Sequence, residues 1–374
     1  RSQPKYYIVF LTVLLSARAL HAQPVAAAPE PAPETAGNLY TIGEVIISGN
    51  EKTKTFIIER ELPFLAGESY SPEELVNRME TGRRQLMNSS LFHQAMISAK
   101  DYEGTRVNIM VEVKERWYLF PLPYFRPVDR NLNQWLVEQK GSLDRVNYGA
   151  KLTFNNSTGR NDKFKLWLIG GYTKQVSFSY DRLYIDRDLK WGASMSFVWG
   201  KNREVNYNTI NDKQVFLNDP DQYVRRFMNG HISLSYRPAI NTRHSFGIGF
   251  SSEEVHDTVV ALNPAYFKKG RNQIGYPSLF YTLQWFNLDY IPYPTKGYAA
   301  QFSVSKNGLN SSVNLWQLHI RGLANWPLAS KTFLHLNVYG GLKLPFEQPY
   351  FNRRFLGYGD MYLQGYEYNV IDGV

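Results

Sequence analysis

Asn287-Leu288-Asp289-Tyr290-Ile291-Pro292-Tyr293-Pro294-Thr295-Lys296-Gly297-Tyr298 reads as a strand that ends in a Pro-Thr-Lys-Gly turn and starts another strand. A second phrase, Leu363-Gln364-Gly365-Tyr366, stands near the end of the 374 residues. Outward from these phrases, after Trp117, helical patterning gives way to strict alternation. Trp191, Ala193, Met195, Phe197 and Trp199 alternate with Gly192, Ser194, Ser196 and Gly200, and Tyr148, Ala150, Leu152 and Phe154 alternate with Asn147, Gly149, Lys151 and Thr153. Ile232, Leu234 and Tyr236, and Phe246, Ile248 and Phe250, repeat the pattern. A soluble sandwich would carry Lys and Glu on its solvent face. Here the polar face is Ser, Gly, Asn and Thr and the other face is large and aromatic, as in a barrel with lipid outside.

The pattern predicts eleven strands, at 118–128, 146–156, 163–173, 175–185, 191–206, 222–237, 244–260, 278–290, 298–308, 312–326 and 332–344. Most approach the length of a tilted membrane crossing. Short connections such as Ile240 to Arg243 and Ala329 to Thr332 are expected in the periplasm, and longer ones, Tyr207 to Asp221 and Asn263 to Gly275, outside the cell. Composition agrees: aromatics are 15% of residues, with 26 Tyr, 22 Phe and 8 Trp, and barrels use Tyr and Trp as interfacial girdles. Beyond the amino terminus no run of about 20 apolar residues exists for a membrane helix. With no cysteine, disulfide and thiol chemistry are excluded, and a net charge of +9 scattered among 33 acids offers no basic stripe for nucleic acid.

Arg1, Lys5, the apolar stretch Tyr6 to Leu15 and the small residues Ala17, Ala19 and Ala22 make residues 1–22 a signal peptide. Residues 23–37 form a linker rich in Pro and Ala. Residues 38–116 predict an α+β domain in the order strand, helix, helix, strand, strand. Tyr40 to Ser48 has strand composition and Lys54 to Leu62 helical spacing, with Phe56 and Ile57 opposed to Arg60 and Glu61. Ser71, Pro72 and Glu74 form a capping box opening a helix to about Ser89, whose buried stripe is Leu75, Val76, Met79 and Leu86. His93 to Lys100 and Arg106 to Lys114 then pair across a Tyr102-Glu103-Gly104 turn.

This order, with the Gly49-Asn50 turn and the Leu91-Phe92 lead-in, resembles a POTRA domain. Leu363, Gln364, Gly365 and Tyr366 resemble the Val/Leu-Arg-Gly-Phe/Tyr tip of the inward-folded loop of the BamA/TamA-type outer-membrane assembly superfamily, whose barrels also carry a Pro-Thr-x-Gly turn. The resemblance covers the chain from about Leu39 onward. It implies a periplasmic POTRA domain followed, over 117–374, by the first part of a sixteen-stranded barrel in the outer membrane of a Gram-negative cell, including the start of the inward loop. Gln364 replaces the family's Arg, and the chain stops at Val374 without closing strands. It is therefore expected to be part of a longer protein, with roughly 100 further residues needed for closure.

The resemblance implies a non-enzymatic factor, without metal or cofactor, that assembles or translocates unfolded outer-membrane or secreted proteins. The lipid bilayer and accessory assembly lipoproteins are its further partners. The strand bearing His93, Ala95, Ile97 and Ala99 is a candidate client-binding edge by β-augmentation, weighed against a structural strand. The first barrel strand, with Pro121, Pro123 and Pro127, is the family's seam, and proline suits an edge because it cannot donate to a ladder. Two other readings are a relative of patatin-type outer-membrane lipases, for which no domain precedes the POTRA segment, and a passive channel. His231 and Ser233 lack an assignable orienting acid for catalysis. Asp219 and Asp221 lack the ligand series of a calcium loop. Gly357 and Gly359 suit a tight loop better than a phosphate site.

Overall fold

The computed structural model describes residues 39–128, 132–186, 188–211, 213–309 and 313–353. The signal, the linker, Gly357, Gly359 and the Leu363 to Tyr366 motif lie outside the described residues.

The amino-terminal domain consists of β1 (Tyr40–Ser48), α1 (Thr55–Glu59), β2 (Ser69–Tyr70), α2 (Pro72–Asn88), β3 (Phe92–Glu103) and β4 (Arg106–Glu115). Its sheet runs β2-β1-β4-β3, with β1 parallel to β4 and the other pairs antiparallel. Ser71 caps α2 as its sequence implies, its Oγ accepting from the Glu74 N–H at 3.2 Å, and Pro72 takes the first turn, where no amide partner is needed. Ile57, Ile58, Leu86, Val107, Ile109 and Val111 are buried together between the helices and the sheet.

Four details differ from the sequence expectation. Val76 is exposed, because its position beside Leu75 turns it about 100° from the buried stripe, which keeps Leu75, Met79 and Leu86. The β3–β4 turn is Gly104-Thr105 rather than Tyr102 to Gly104. The two-residue β2 is too short to leave a periodicity. In the α1 segment Phe56 is partly exposed while Glu61 is buried, the reverse of a simple amphipathic reading.

The rest of the chain forms β5 (Leu119–Pro127), β6 (Val146–Asn155), β7 (Lys163–Gly171), β8 (Thr173–Tyr184), β9 (Trp191–Asn202), a hairpin of β10 (Glu204–Ile210) and β11 (Lys213–Asn218), then β12 (Arg225–Ala239), β13 (Thr242–Val255), α3 (Asp257–Leu262), β14 (Gln273–Leu288), β15 (Gly297–Asn307), β16 (Leu315–Ala329), β17 (Thr332–Leu344) and α4 (Tyr350–Arg353). All but β10 and β11 join in one antiparallel sheet of eleven strands, each beside its neighbours in the chain, with β5 and β17 at its edges. The segment expected as a loop from Tyr207 to Asp221 is largely this hairpin, a two-stranded sheet of its own. Strand β13 stops at Val255 because His256 caps α3, its Nδ1 accepting from the Thr258 N–H.

Register assigns the two faces. Ile232 lies opposite Met195 and Ile248, all exposed, on the face that also carries Phe197, Phe246 and Phe250. Ser233 lies opposite Ser194 and Gly247, and Ser235 opposite Gly192 and Ser245, on the other face. The exposed apolar face fits the lipid side of a membrane barrel wall, and the small polar face fits its lumen. No helix among the described residues is long and apolar enough to cross a membrane. At the long-loop end, β10, β11, α3, α4 and the connections around them bury a second core of Val205, Val259, Tyr266, Phe267, Ile274 and Tyr350. The described residues after β17 are pinned there, with the Tyr350 N–H donating to the Ala265 carbonyl at 3.0 Å.

Candidate functional site

The amino-terminal domain is docked on the short-turn end of the sheet, against four successive turns. Thr53 Oγ1 meets Tyr118 OH at 3.2 Å and accepts from Asn156 Nδ2 at 2.9 Å, while the Lys54 N–H donates to the Gly159 carbonyl at 2.9 Å. Tyr184 and Leu189, beside the second turn, complete the core of the small domain. At the third turn Arg237 makes a bidentate pair with Glu61, Nη1 to Oε1 at 2.7 Å and Nη2 to Oε2 at 2.9 Å, and donates to the Ile240 carbonyl. This pairing is why Glu61 is buried: a carboxylate leaves water only when its charge is matched. Burial alone would raise its pKa, but hydrogen bonds and charge from Arg237 and Arg60 outweigh that and hold the carboxyl below its ordinary value.

The fourth turn is the motif around Pro294. Asp289 accepts from the N–H of Thr295 at 3.0 Å and of Lys296 at 3.1 Å, and from the Thr295 hydroxyl, while Tyr298 stacks on Trp285 at 4.7 Å between ring centres. Asn88, the last residue of α2, donates to the Leu288 carbonyl and accepts from the Ile291 N–H at 2.9 Å. The motif therefore shapes a seat for the small domain as well as a hairpin. Gly297 has φ +105°, and a Cβ there would stand 2.0 Å from the Asn287 carbonyl oxygen. Gly297→Ala is expected to destabilise the folded protein by about 1–3 kcal/mol, read as a lowered midpoint of thermal unfolding. An unchanged midpoint would show that the turn relaxes freely.

Two of the strand edges left open among the described residues carry the expected sites. Strand β3 pairs only with β4, and its free side holds the expected client edge. Ala95 is buried, Ile97 and Ala99 pack on the core, and a bulge after Phe92 leaves His93 exposed out of step with them. What this edge can offer a client is backbone, with His93 beside it, rather than the side chains of Ala95, Ile97 and Ala99. Strand β5 is the other edge. The Tyr118 carbonyl accepts from the Asn155 N–H and the Val128 N–H donates to the Arg145 carbonyl, both at 2.9 Å, with unbroken register between. Even-numbered residues thus bond to β6, and odd-numbered ones face the open edge. Pro121, Pro123 and Pro127 are all odd. They leave the internal ladder intact and remove three donors from the free edge alone.

Comparison with known proteins places this arrangement. A POTRA family model, described as a surface antigen variable number repeat, matches residues 40–116, and the model described as the Omp85 superfamily domain matches residues 156–373, over half of the chain. The chain belongs to the Omp85 superfamily. A curated Omp85 relative, the outer membrane protein assembly factor BamA of Neorickettsia risticii, is 24% identical over 278 residues, 73% of this chain. The match spans 33% of that relative's length. Among solved structures, BamA from Haemophilus ducreyi lacking POTRA domains 1-3 aligns with 85% of this chain and 58% of its own at 16% identity and a TM-score of 0.46. CdiB from Acinetobacter baumannii aligns with 86% and 56% at 13% identity and a TM-score of 0.44.

The remaining sequence candidates take structural roles in this Omp85 wall. His231 hydrogen-bonds Ser196 across the strand pair, at 2.8 Å from Nδ1, not Ser233, and packs edge-on to Phe280. Asp219 Oδ1 accepts from the N–H groups of Asp221 and Gln222, so its carboxylate holds a turn. Among the described residues no three His, Asp or Glu side chains gather as a metal site. The Glu61–Arg237 pair was missed from sequence because its partners are 176 positions apart. The sequence offers little signal for it, since Glu61 stands in the charged run Glu59-Arg60-Glu61, which reads as a solvated helix end.

Proposed function

We propose that this chain is part of an outer-membrane factor that inserts or translocates unfolded proteins, with its POTRA domain in the periplasm. The observation that carries the reading is the β5 edge. Three prolines aimed outward make it a strand that pairs well on one side and poorly on the other, as a seam that must open requires. The free side of β3 supplies a second backbone edge where an extended client can pair without its sequence being read. Docking against four turns holds that edge at the mouth of the barrel. Outer-membrane or secreted proteins are the clients, accessory lipoproteins are further partners, and no step calls for enzyme chemistry.

The full-length gene product is expected to fractionate with the outer membrane and to migrate differently on gels with and without heating, as closed barrels do. A photo-crosslinking residue at Phe125 or His93 is then expected to capture unfolded outer-membrane proteins during their export. Recovery in the soluble periplasm, or a membrane-embedded protein that yields no client adduct from either edge while conducting ions, would replace this reading with another.

A further inference from the structure

The lumen wall nearest the docked domain carries more positive charge than the docking uses. A cavity of about 390 Å³ lies between α2 and the rim, and a second of about 310 Å³ lies farther along the wall; both are lined by Lys163, Arg182 and Arg243. The second also has Lys165, four serines and a single carboxylate, Asp181. Asp181 stands directly across the strand pair from Lys163 and accounts for one cation. In the first cavity Glu61 is consumed by Arg237, and Asp162 by Ser157, Thr158 and Tyr180.

Lys165, Arg182 and Arg243 remain. Among the described residues neither Arg243 nor Lys165 has a hydrogen-bond or ion-pair partner, although Arg182 lies within electrostatic reach of Arg243. Arg182 holds one bond, from Nη1 to Asn161 Oδ1 at 3.3 Å, and its main chain is in an unusual state. A bulge between Tyr180 and Leu183 puts Arg182 at φ +65°, a region strand residues avoid, fixed by its N–H donating to Ser194 Oγ at 3.1 Å. A bulge of this kind re-aims a side chain, here into the cavity.

We propose that this wall is a binding site for a phosphate-class oxyanion, held by Arg182, Arg243 and Lys165 with the hydroxyls of Ser194, Ser233, Ser235 and Ser245 beside them. Two guanidinium forks match the tetrahedral oxygens of a phosphate bidentately, and the lysine adds a point charge. Three cations with no carboxylate partner among the described residues suit a multiply charged group better than one carboxylate. The hydroxyls of Ser194, Ser233 and Ser245 donate to the oxygens that the cations leave free, while that of Ser235 is held by the Gly192 carbonyl. The group can arrive as a free phosphate or on a phosphorylated lipid headgroup.

The test uses full-length protein in detergent, titrated calorimetrically with sodium pyrophosphate at constant ionic strength, with chloride as the comparison anion. A parallel arm places the protein in nanodiscs of phosphatidylcholine with or without phosphatidic acid. Pyrophosphate is expected to bind well above chloride, and the double variant Arg182→Gln, Arg243→Gln to weaken it at least about tenfold. Lys331→Gln, in a remote turn, is expected to leave binding unchanged. Heat-dependent gel migration checks that the variants remain folded, and the wild-type comparison of the two anions stands without them. A response confined to the phosphatidic acid arm assigns the site to a headgroup, and one confined to pyrophosphate assigns it to the free anion. Pyrophosphate and phosphatidic acid both binding no better than chloride and phosphatidylcholine, or a folded double variant that binds like wild type, overturns the proposal.

Discussion

Arg237→Ala in the full-length protein is expected to release the POTRA domain from the barrel rim. Removing one partner of a buried pair leaves the other charge out of water, at a cost of about 3–5 kcal/mol. The lower end applies here, because Arg60 stays 2.8 Å from Glu61. Distances measured by spin labels on α2 and on the Ile240 turn should broaden from one population into several. The double variant Glu61→Ala, Arg237→Ala should be milder than Arg237→Ala alone, since it strands no charge. An undisturbed distance in Arg237→Ala would show that the Asn88 and Thr53 contacts suffice. Acid should act in the same direction. Because the folded Glu61 carboxyl lies below its ordinary value, its contribution is complete above the ordinary carboxylate pKa. That contribution is lost as pH falls through the lower, folded value, so docking should survive mild acidification and fail only beneath the usual carboxylate range.

The second large effect is expected at the open edge of β5, the proposed seam. Replacing Pro121, Pro123 and Pro127 together by Ala returns three donors to the open edge of β5 while leaving the β5–β6 ladder as it is. If each donor finds a carbonyl on the strand that closes the barrel, about 0.5–1.5 kcal/mol is gained per bond, or roughly 1.5–4.5 kcal/mol for the set. The closed barrel should unfold at higher temperature and insert clients more slowly, the two changes moving together. Faster insertion by the variant, or a lower unfolding temperature, would mean that the prolines shape the strand rather than weaken its edge.

The strands were legible because a barrel wall writes a two-residue period into sequence, with lipid on one side and a small polar lumen on the other. Strand β17 and the Pro294 turn lie where that period and the turn residues place them. The capping box at Ser71 was legible because a helix start needs only neighbours to satisfy its amides. The hairpin of β10 and β11 was not, since its strands are short and the residues they bury, Val205, Tyr207 and Leu217, pack on segments far along the chain.

By itself, then, the order of residues determined where the eleven wall strands lie, which face of most of them is apolar, and that three prolines sit in the first of them. Only the tertiary structure decided that those prolines face outward, that Glu61 is an interior residue, and that Arg182, Arg243 and Lys165 converge on one wall of the lumen. The physical reason is range. Periodicity and capping are settled by side chains within a few positions of one another, whereas hydrogen-bond parity at an edge, compensation of a buried charge and accumulation of like charges depend on strands and domains brought together from far along the chain.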